Sequence, residues 1–147
     1  MYESIVAWRR ADDLAVETYQ ATESFPRSEL YGLMSQMRGA AVSVPANIAE
    51  GSIRQYLKEY VQFLHVARAS LTELAYHIHL AGRLGFVDKA IETKLDKMLT
   101  DTARPLYGLI EWVEEQIEQG EVLNRKPAGR GKRELTANHR SPLTVNR

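Results

Sequence analysis

Two histidines and a glutamate in one short stretch come nearest to a metal site in this sequence. Glu73 and His77 stand four residues apart, which places both side chains on one face of a helix, and His79 follows two residues later. Dinuclear sites in helical bundles use Glu-x-x-His motifs on two helices together with further glutamates that face inward. No glutamate precedes a histidine by three residues here. We interpret Glu73 and His77 as a hydrogen-bonded or solvated pair, and we expect no metal site and no cofactor.

The residues used in nucleophilic catalysis are also missing. The 147 residues include no cysteine, which removes thiolate nucleophiles, thiolate metal ligands and disulfides together. No Gly-x-Ser-x-Gly turn presents a serine, and no Gly-x-x-x-x-Gly-Lys-Ser/Thr loop is present to hold a phosphate. We therefore expect a protein that is not an enzyme and has no catalytic residues.

The most unusual stretch is residues 32–51, where small side chains are dense. Five polar residues recur within it at intervals close to a helical turn, namely Gln36, Arg38, Ser43, Asn47 and Glu50. Such spacing predicts a polar ladder along one helix face, and two interpretations are open. The ladder is a hydrogen-bond network that fixes the register of packed helices, or it is a surface for a ligand or partner. We favour the network.

Apolar residues recur at helical spacing in four segments, about 4–22, 28–50, 53–84 and 88–119. Each segment carries start or stop signals of its own. These signals are Ser28 and Asp88 as N-caps, Ser52 with Gln55 as a capping box, and Gly51, Gly85 and Gly120 after the helix ends. Pro45 and Pro105 lie inside the second and fourth segments, where we expect kinked but continuous helices.

The connections after the second and third segments are short, so sequential helices should pack antiparallel. The predicted fold is an all-α, antiparallel up-and-down four-helix bundle. Helices three and four should reach about 45 Å, against about 27–33 Å for the first two. The longer pair should then overhang, with its apolar stripe in water unless a second copy covers it. We therefore expect a homo-oligomer with its seam along helices three and four.

Composition is ordinary for a soluble globular protein, with 44% hydrophobic and 26% charged residues. No window is apolar for long enough to span a membrane, and no signal segment begins the chain, so we expect a cytoplasmic protein without membrane contact.

The zero net charge of the whole chain hides an uneven distribution of charge along the sequence. Residues 1–120 carry 12 Lys and Arg against 17 Asp and Glu, whereas residues 121–147 carry seven against two.

Residues 121–147 lack apolar periodicity, and we predict that they form a disordered basic tail beside a bundle domain of residues 1–120. Five clustered cations in this segment are candidate contacts to nucleic-acid phosphates. They are Arg125, Lys126, Arg130, Lys132 and Arg133. No Phe, Trp or Tyr accompanies them to stack on bases.

Several motifs follow one another in an order typical of one family. They are AWRRA (7–11), FP (25–26), YGL (31–33), QMR (36–38), SVPANIAEG (43–51) and ARASLTEL (67–74). Over about residues 2–119 the chain resembles the 23S ribosomal RNA intervening-sequence proteins, also called the four-helix-bundle protein family. It departs from the pattern at Arg38-Gly39, where paired arginines are commoner, and at Arg68-Ala69, where glycine commonly precedes the serine.

The resemblance implies a four-helix protomer that assembles into a ring-like homopentamer. The accessory protein of diversity-generating retroelements is similar to this family, and it binds a reverse transcriptase and nucleic acid through basic surfaces. An RNA-associated accessory role is therefore one function to expect here, although the acidic bundle itself argues against direct contact with nucleic acid. The alternative is a structural scaffold that recruits a protein partner. Its candidate contact residues are Trp8, Tyr19, Tyr31, Tyr107 and Trp112. The alternative, which we favour, is that these aromatics complete the core or the seam between subunits.

Overall fold

The computed structural model describes residues 2–120, and four α-helices make up most of them. The helices are α1 (Val6–Thr22), α2 (Leu33–Ser52), α3 (Leu57–Arg83) and α4 (Lys89–Glu118). Each helix packs against the next along the chain, and α4 packs back against α1 to close the bundle. The predicted up-and-down four-helix bundle is confirmed. The predicted disordered tail at 121–147 lies outside the described residues.

Apolar stripes from all four helices fill the core, as the helical spacing predicts. Leu64 and Leu74 of α3 and Leu95 and Leu106 of α4 are buried. All six stripe positions of α1 are buried too, namely Ala7, Ala11, Leu14, Ala15, Thr18 and Thr22. Polar members of the stripes satisfy their hydroxyl groups locally. Thr18 donates to the carbonyl of Leu14 at 2.8 Å, which lets its side chain sit in the core without an unpaired hydrogen-bonding group.

The predicted start of the second helix at Ser28 is wrong. Residues Arg27–Glu29 form a short 3-10 turn, and α2 begins four residues later at Leu33. Glu29 replaces the expected serine cap, because its Oε2 accepts a hydrogen bond from the backbone N–H of Leu33 at 2.8 Å. A carboxylate is well placed there, since the first turn of a helix carries partial positive charge.

The predicted break between the second and third helices is also misplaced. Gly51 lies inside α2 rather than after it, and α3 begins at Leu57 without a side-chain cap. Ser52 is not the N-cap of α3, whose N-cap position is Tyr56, and its hydroxyl donates back to the carbonyl of Ala49 at 2.7 Å. Packing decides this boundary. A Cβ at Gly51 would lie 2.8 Å from atoms of both Tyr60 and Phe63, so the glycine serves close contact between helices.

Other boundary signals are confirmed. Asp88 caps α4, with its Oδ1 accepting the backbone N–H of Ile91 at 2.8 Å. Gly85 and Gly120 adopt positive φ angles of 73° and 70° just beyond α3 and α4, a conformation that is strained for other residues. Pro45 and Pro105 lie within α2 and α4, which remain continuous α-helices across them.

Helices α3 and α4 are the longer pair, at 27 and 30 residues against 17 and 20 for α1 and α2. The apolar stripe of this longer pair is buried in its inner part and partly exposed at its margins. Leu57 near the start of α3 and Val113 near the end of α4 are buried within a single protomer, whereas Tyr56 before α3 is 49% exposed and Ile117 is partly buried. The oligomer seam along these helices stays a prediction. At the other end of the bundle Phe25 and Phe86 join the two connections, with ring centroids 5.4 Å apart. The connections therefore cover the core that the shorter helices leave open.

Candidate functional site on helix α2

The predicted polar ladder is divided between two sides of α2. Ser43 faces α3, where its Oγ lies 2.8 Å from the Oγ of Ser70. Asn47 lies one turn further along and donates through Nδ2 to the carbonyl oxygen and the Oγ of Ser43, at 2.8 and 3.0 Å. The serine pair joins α2 to α3, and Asn47 hydrogen-bonds to Ser43 within α2, so the three residues form one partly buried cluster. This supports the register-fixing interpretation for this part of the ladder.

Arg38 lies on the opposite side of α2, so the prediction of a single face is wrong for this residue. Its Nε donates to Thr22 Oγ1 at 2.8 Å and its Nη2 to the carbonyl of Tyr19 at 3.3 Å. The guanidinium carbon also lies 4.5 Å above the centre of the Tyr19 ring. The cause is helical geometry, since two residues along an α-helix turn the side chain by about 200°. Arg38 thus ties α2 to α1.

The remaining two ladder residues have different surroundings. Glu50 pairs with Arg54 just beyond the end of α2, and the Arg54 guanidinium lies 4.6 Å from the centre of the Phe63 ring. Gln36 is exposed at the mouth of an open groove of about 300 Å³ between α2 and α3. The groove is lined by Ser35, Gln36, Gly39, Ala40, Ser43, Ser70 and Glu73. Its hydrogen-bonding groups are hydroxyls, one amide and one carboxylate, and its lining includes no cation.

Ser70 is the member of this cluster that the sequence interpretation missed. It lies between Ala67 and Leu74 on the buried side of α3. A serine within an apolar stripe needs a hydrogen-bond partner, and that requirement is the signal that could have paired it with the small polar residues of α2.

Replacing Ser70 with alanine should lower the free energy of unfolding by about 1 kcal/mol, because Ser43 loses a hydrogen-bond partner in a half-buried site. The double replacement of Ser43 and Ser70 should cost less than the sum of the two single replacements, since each single variant strands the other hydroxyl. Urea unfolding of the four proteins measures this coupling. Ser35→Ala, at an exposed serine of α2, is the control, and strictly additive costs would contradict the contact.

Glu73 and His77 form the predicted pair, with Glu73 Oε1 and His77 Nε2 3.2 Å apart. A second pair that the sequence interpretation missed joins α3 to α4, with His65 Nε2 3.0 Å from Glu114 Oε1. His79 is exposed and lies apart from His77, since two residues turn the helix by about 200°. Within residues 2–120 no three His, Asp or Glu side chains come together in a way that suits a metal ion.

The outward face of α2 is uncharged from Ser35 to Ala46 and ends in a glutamate. Its exposed residues are Ser35, Gly39, Val42, Ala46 and Glu50, and Gln36 is exposed beside them at the groove. The Glu50 carboxylate pairs with Arg54. Arg38 is the one charged residue between Glu29 and Glu50, and it is held against α1. An outward helix face usually carries charged side chains. We call the set Ser35, Gly39, Val42 and Ala46 the α2 outer face.

The predicted surface aromatics differ in exposure. Trp8 is half-buried, with its ring 5.0 Å from that of Tyr2, and Tyr19 lies under Arg38. Tyr31 is 92% exposed in the connection between α1 and α2. Tyr107 and Trp112 lie on α4 and are 44% and 48% exposed. The five candidate phosphate contacts at 125–133 lie outside the described residues.

Within residues 2–120 no helix is long and apolar enough to cross a bilayer.

Comparison with known proteins identifies this arrangement of helices. The family model described as "23S rRNA-intervening sequence protein" matches residues 3–108. A crystal structure at 1.70 Å resolution from Bacteroides thetaiotaomicron, of a protein of unknown function in the S23 ribosomal protein family, has the same fold. The TM-score is 0.65 at 18% sequence identity, and the match covers 71% of this chain and 98% of that one. No curated protein matches the chain in sequence.

Proposed function

This chain belongs to the 23S rRNA-intervening sequence protein family, and from that premise we propose that it is a non-enzymatic accessory protein that works as an assembly of identical copies. The observation that carries the proposal is the α2 outer face, which is exposed, uncharged and built of small side chains. Faces of this kind are unusual on a protein that works as a monomer, because they lack the charged side chains that interact favourably with water.

Gly39 is the most informative residue of that face. A glycine inside a helix costs about 0.5–1 kcal/mol relative to alanine, so its presence needs a reason. At Gly51 and Gly82 an added Cβ would come within 2.8 Å of neighbouring side chains, and the fold of the protomer supplies the reason. At Gly39 an added Cβ would meet nothing within 4 Å. Close approach of a second chain over Gly39 supplies a reason that packing within the protomer does not.

This face lies apart from the seam that the sequence predicted along helices three and four, which stays a prediction. Most stripe residues of α3 are buried within the protomer, whereas Ile91, Met98, Leu109 and Ile117 of α4 are partly buried. Five copies, as the family resemblance implies, close a ring when each contributes two different faces. The α2 outer face would supply one of them.

A non-enzymatic role is supported by the chemistry of the groove beside that face. Its serines contact one another and Asn47, and its one carboxylate, Glu73, pairs with His77 on the same helix. A nucleophile needs a general base within hydrogen-bond reach, and the groove lining offers no hydroxyl placed in this way against a histidine.

Ala46→Glu should shift the assembly towards the mass of the single chain, 16.7 kDa. The substitution places a carboxylate at the C-terminal end of the α2 outer face, where burial without a partner should weaken association by at least about tenfold. Sedimentation velocity at micromolar concentration measures the shift. Ala90→Glu is the matched control, since Ala90 is an exposed alanine on α4, which lies diagonally across the bundle from α2.

Two outcomes would contradict the proposal of assembly through α2. One is a wild-type protein that sediments as a single chain at micromolar concentration. The other is an Ala46→Glu variant that keeps the same mass as wild type and as Ala90→Glu.

A second candidate function is association with RNA, and the charge of residues 121–147 favours it. Seven basic residues stand against two acidic ones there, whereas residues 1–120 carry an excess of five negative charges. The cations are therefore concentrated where they can neutralise phosphates without the bundle approaching the nucleic acid. The resemblance to the accessory protein of diversity-generating retroelements adds a reverse transcriptase as a candidate protein partner. A scaffold without nucleic acid is the alternative.

A further inference from the structure

The C-terminal half of α4 presents a surface that neither assembly through α2 nor RNA binding uses. Gly108, Glu111 and Glu115 follow one another at helical spacing along its outward side. Tyr107 and Trp112 flank this line, and each is nearly half exposed. We call the set Tyr107, Gly108, Glu111, Trp112, Glu115 and Glu118 the α4 glutamate face.

The glutamates of this face are unpaired within residues 2–120. Several carboxylates associated with the first half of α4 are paired with lysines. Lys97 donates to Asp101 at 2.5 Å and holds its pKa below the usual value, and Lys94 donates to Glu17 of α1 at 2.8 Å. In the second half Glu114 meets His65, whereas Glu111, Glu115 and Glu118 have no ionic or hydrogen-bond partner among the described residues.

These charges oppose the helix that carries them. The last turns of an α-helix bear partial negative charge, which favours basic residues, and the last turn of α4 contains none. Glu111 and Glu115 are also four residues apart, a spacing at which like charges repel. A cationic partner lying on this face would reverse both effects.

Gly108 and the two aromatic residues indicate that such a partner also makes close contact. A Cβ at Gly108 would meet nothing within 4 Å, so packing within the protomer does not call for glycine at this interior position of α4. Tyr107 and Trp112 on either side supply broad apolar area and ring faces that attract lysine and arginine. The face therefore fits an extended basic segment better than a globular surface.

The chain itself contains a segment of this chemistry. Residues 121–147 begin directly after Gly120 and carry a net charge of +5, with five of their cations between 125 and 133. The family match ends at residue 108, so most of the face and the whole segment lie beyond it. Gly108 and Gly120 are about 18 Å apart along the helix axis, and about ten extended residues span up to 33 Å. The cations can therefore reach every glutamate of the face.

We propose that the basic segment of residues 121–147 folds back along α4 and binds the α4 glutamate face of its own chain. Other occupants fit less well. An RNA backbone would be repelled by the glutamates, and the uncharged α2 outer face of a second copy offers no cation to them. RNA that binds the segment must then displace it from the α4 glutamate face, so docking on the bundle lowers the affinity of the segment for RNA. The inference requires neither assembly nor RNA.

The test is the accessibility of Trp112 in the full-length protein. The chain has two tryptophans, and Trp8→Phe leaves Trp112 as the single reporter. Acrylamide is an uncharged quencher, so the charges of the protein do not bias its approach. The comparison variant replaces five cations with glutamine in the same background, at Arg125, Lys126, Arg130, Lys132 and Arg133. At low salt its quenching constant should exceed that of the parent by roughly twofold, because the docked segment covers the indole.

Salt should remove the difference, since contacts between exposed charges weaken as the Debye length falls. A reciprocal variant with glutamine at Glu111, Glu115 and Glu118 should show the same raised quenching constant. Equal quenching of the parent and both variants at low salt would overturn the proposal. The proposal would also be overturned if the quenching constant falls as protein concentration rises and is the same with and without the five cations. A second copy would then be covering Trp112. Neither result bears on the Ala46→Glu experiment, so the two proposals can fail separately.

Discussion

Replacing the five clustered cations of residues 125–133 with glutamine should weaken binding of a single-stranded RNA by about two to three orders of magnitude at about 0.1 M salt. The positions are Arg125, Lys126, Arg130, Lys132 and Arg133. Each phosphate contact to a single strand releases about 0.7 of a counterion, so losing five contacts should reduce the slope of log affinity against log salt by about 3.5. Fluorescence anisotropy of a short labelled RNA over a salt series gives both quantities.

The control lowers the net charge by the same amount within the bundle. It replaces five exposed basic residues with glutamine at Arg27, Lys58, Arg68, Arg83 and Arg104. If the basic segment is the RNA contact, this control should retain most of the affinity and nearly all of the salt slope. Equal losses in the two variants would mean that overall charge, rather than the segment, governs binding. If the wild-type protein does not bind RNA at low salt, the proposed function becomes that of a scaffold that binds no nucleic acid.

Gly51→Ala should lower the free energy of unfolding by about 1–3 kcal/mol, even though alanine is the better helix former. The added Cβ would lie 2.8 Å from the Cβ of Phe63 and from a ring carbon of Tyr60. Tyr60 is fully buried, and the Phe63 Cβ is fixed to the backbone of α3, so the two helices must separate to make room. Urea unfolding monitored by circular dichroism measures the loss.

Gly39→Ala on the same helix is the matched control, and it should have the opposite sign. Nothing lies within 4 Å of the added Cβ, so the gain in helix propensity should stabilise the protomer by up to about 1 kcal/mol. Measuring both variants on the Ala46→Glu background separates protomer stability from assembly. A Gly51→Ala protein as stable as Gly39→Ala would show that α2 and α3 do not approach closely at this point.

Local signals predicted the helix boundaries well where the whole signal lies within one turn. Asp88 and Gly85 act on the backbone next to them, and the structure places both as the sequence indicated. Ser28 and Ser52 are equally good caps by residue type, yet neither begins a helix. In the second case Gly51 must lie against Tyr60 of α3, and this tertiary contact extends α2 past the expected stop. Sequence patterns carry no information about that contact.

The candidate site was predictable in composition but only partly in geometry. The sequence singles out the small and polar residues of 32–51, and Ser43 with Asn47 does form a network. The sequence does not show that Arg38 points to α1. The ladder was defined by intervals that only approximate a helical turn, and the two-residue step from Gln36 to Arg38 rotates the side chain by about 200°. Nor does the sequence reveal that Gly39 has empty space above it, since that depends on where α3 lies.

The closure of the bundle between α1 and α4 has a consequence for the order in which the chain folds. Glu17 and Lys94, which join these helices, are 77 residues apart, whereas only four residues separate α2 from α3. The entropy lost in closing a loop grows with its length, so contacts near in sequence form before distant ones. The α2–α3 and α3–α4 hairpins, whose connections have four and five residues, should therefore form early, and the contact between α1 and α4 should form late. The connection between α1 and α2 has ten residues (23–32), so α1 should be the last helix to join the bundle.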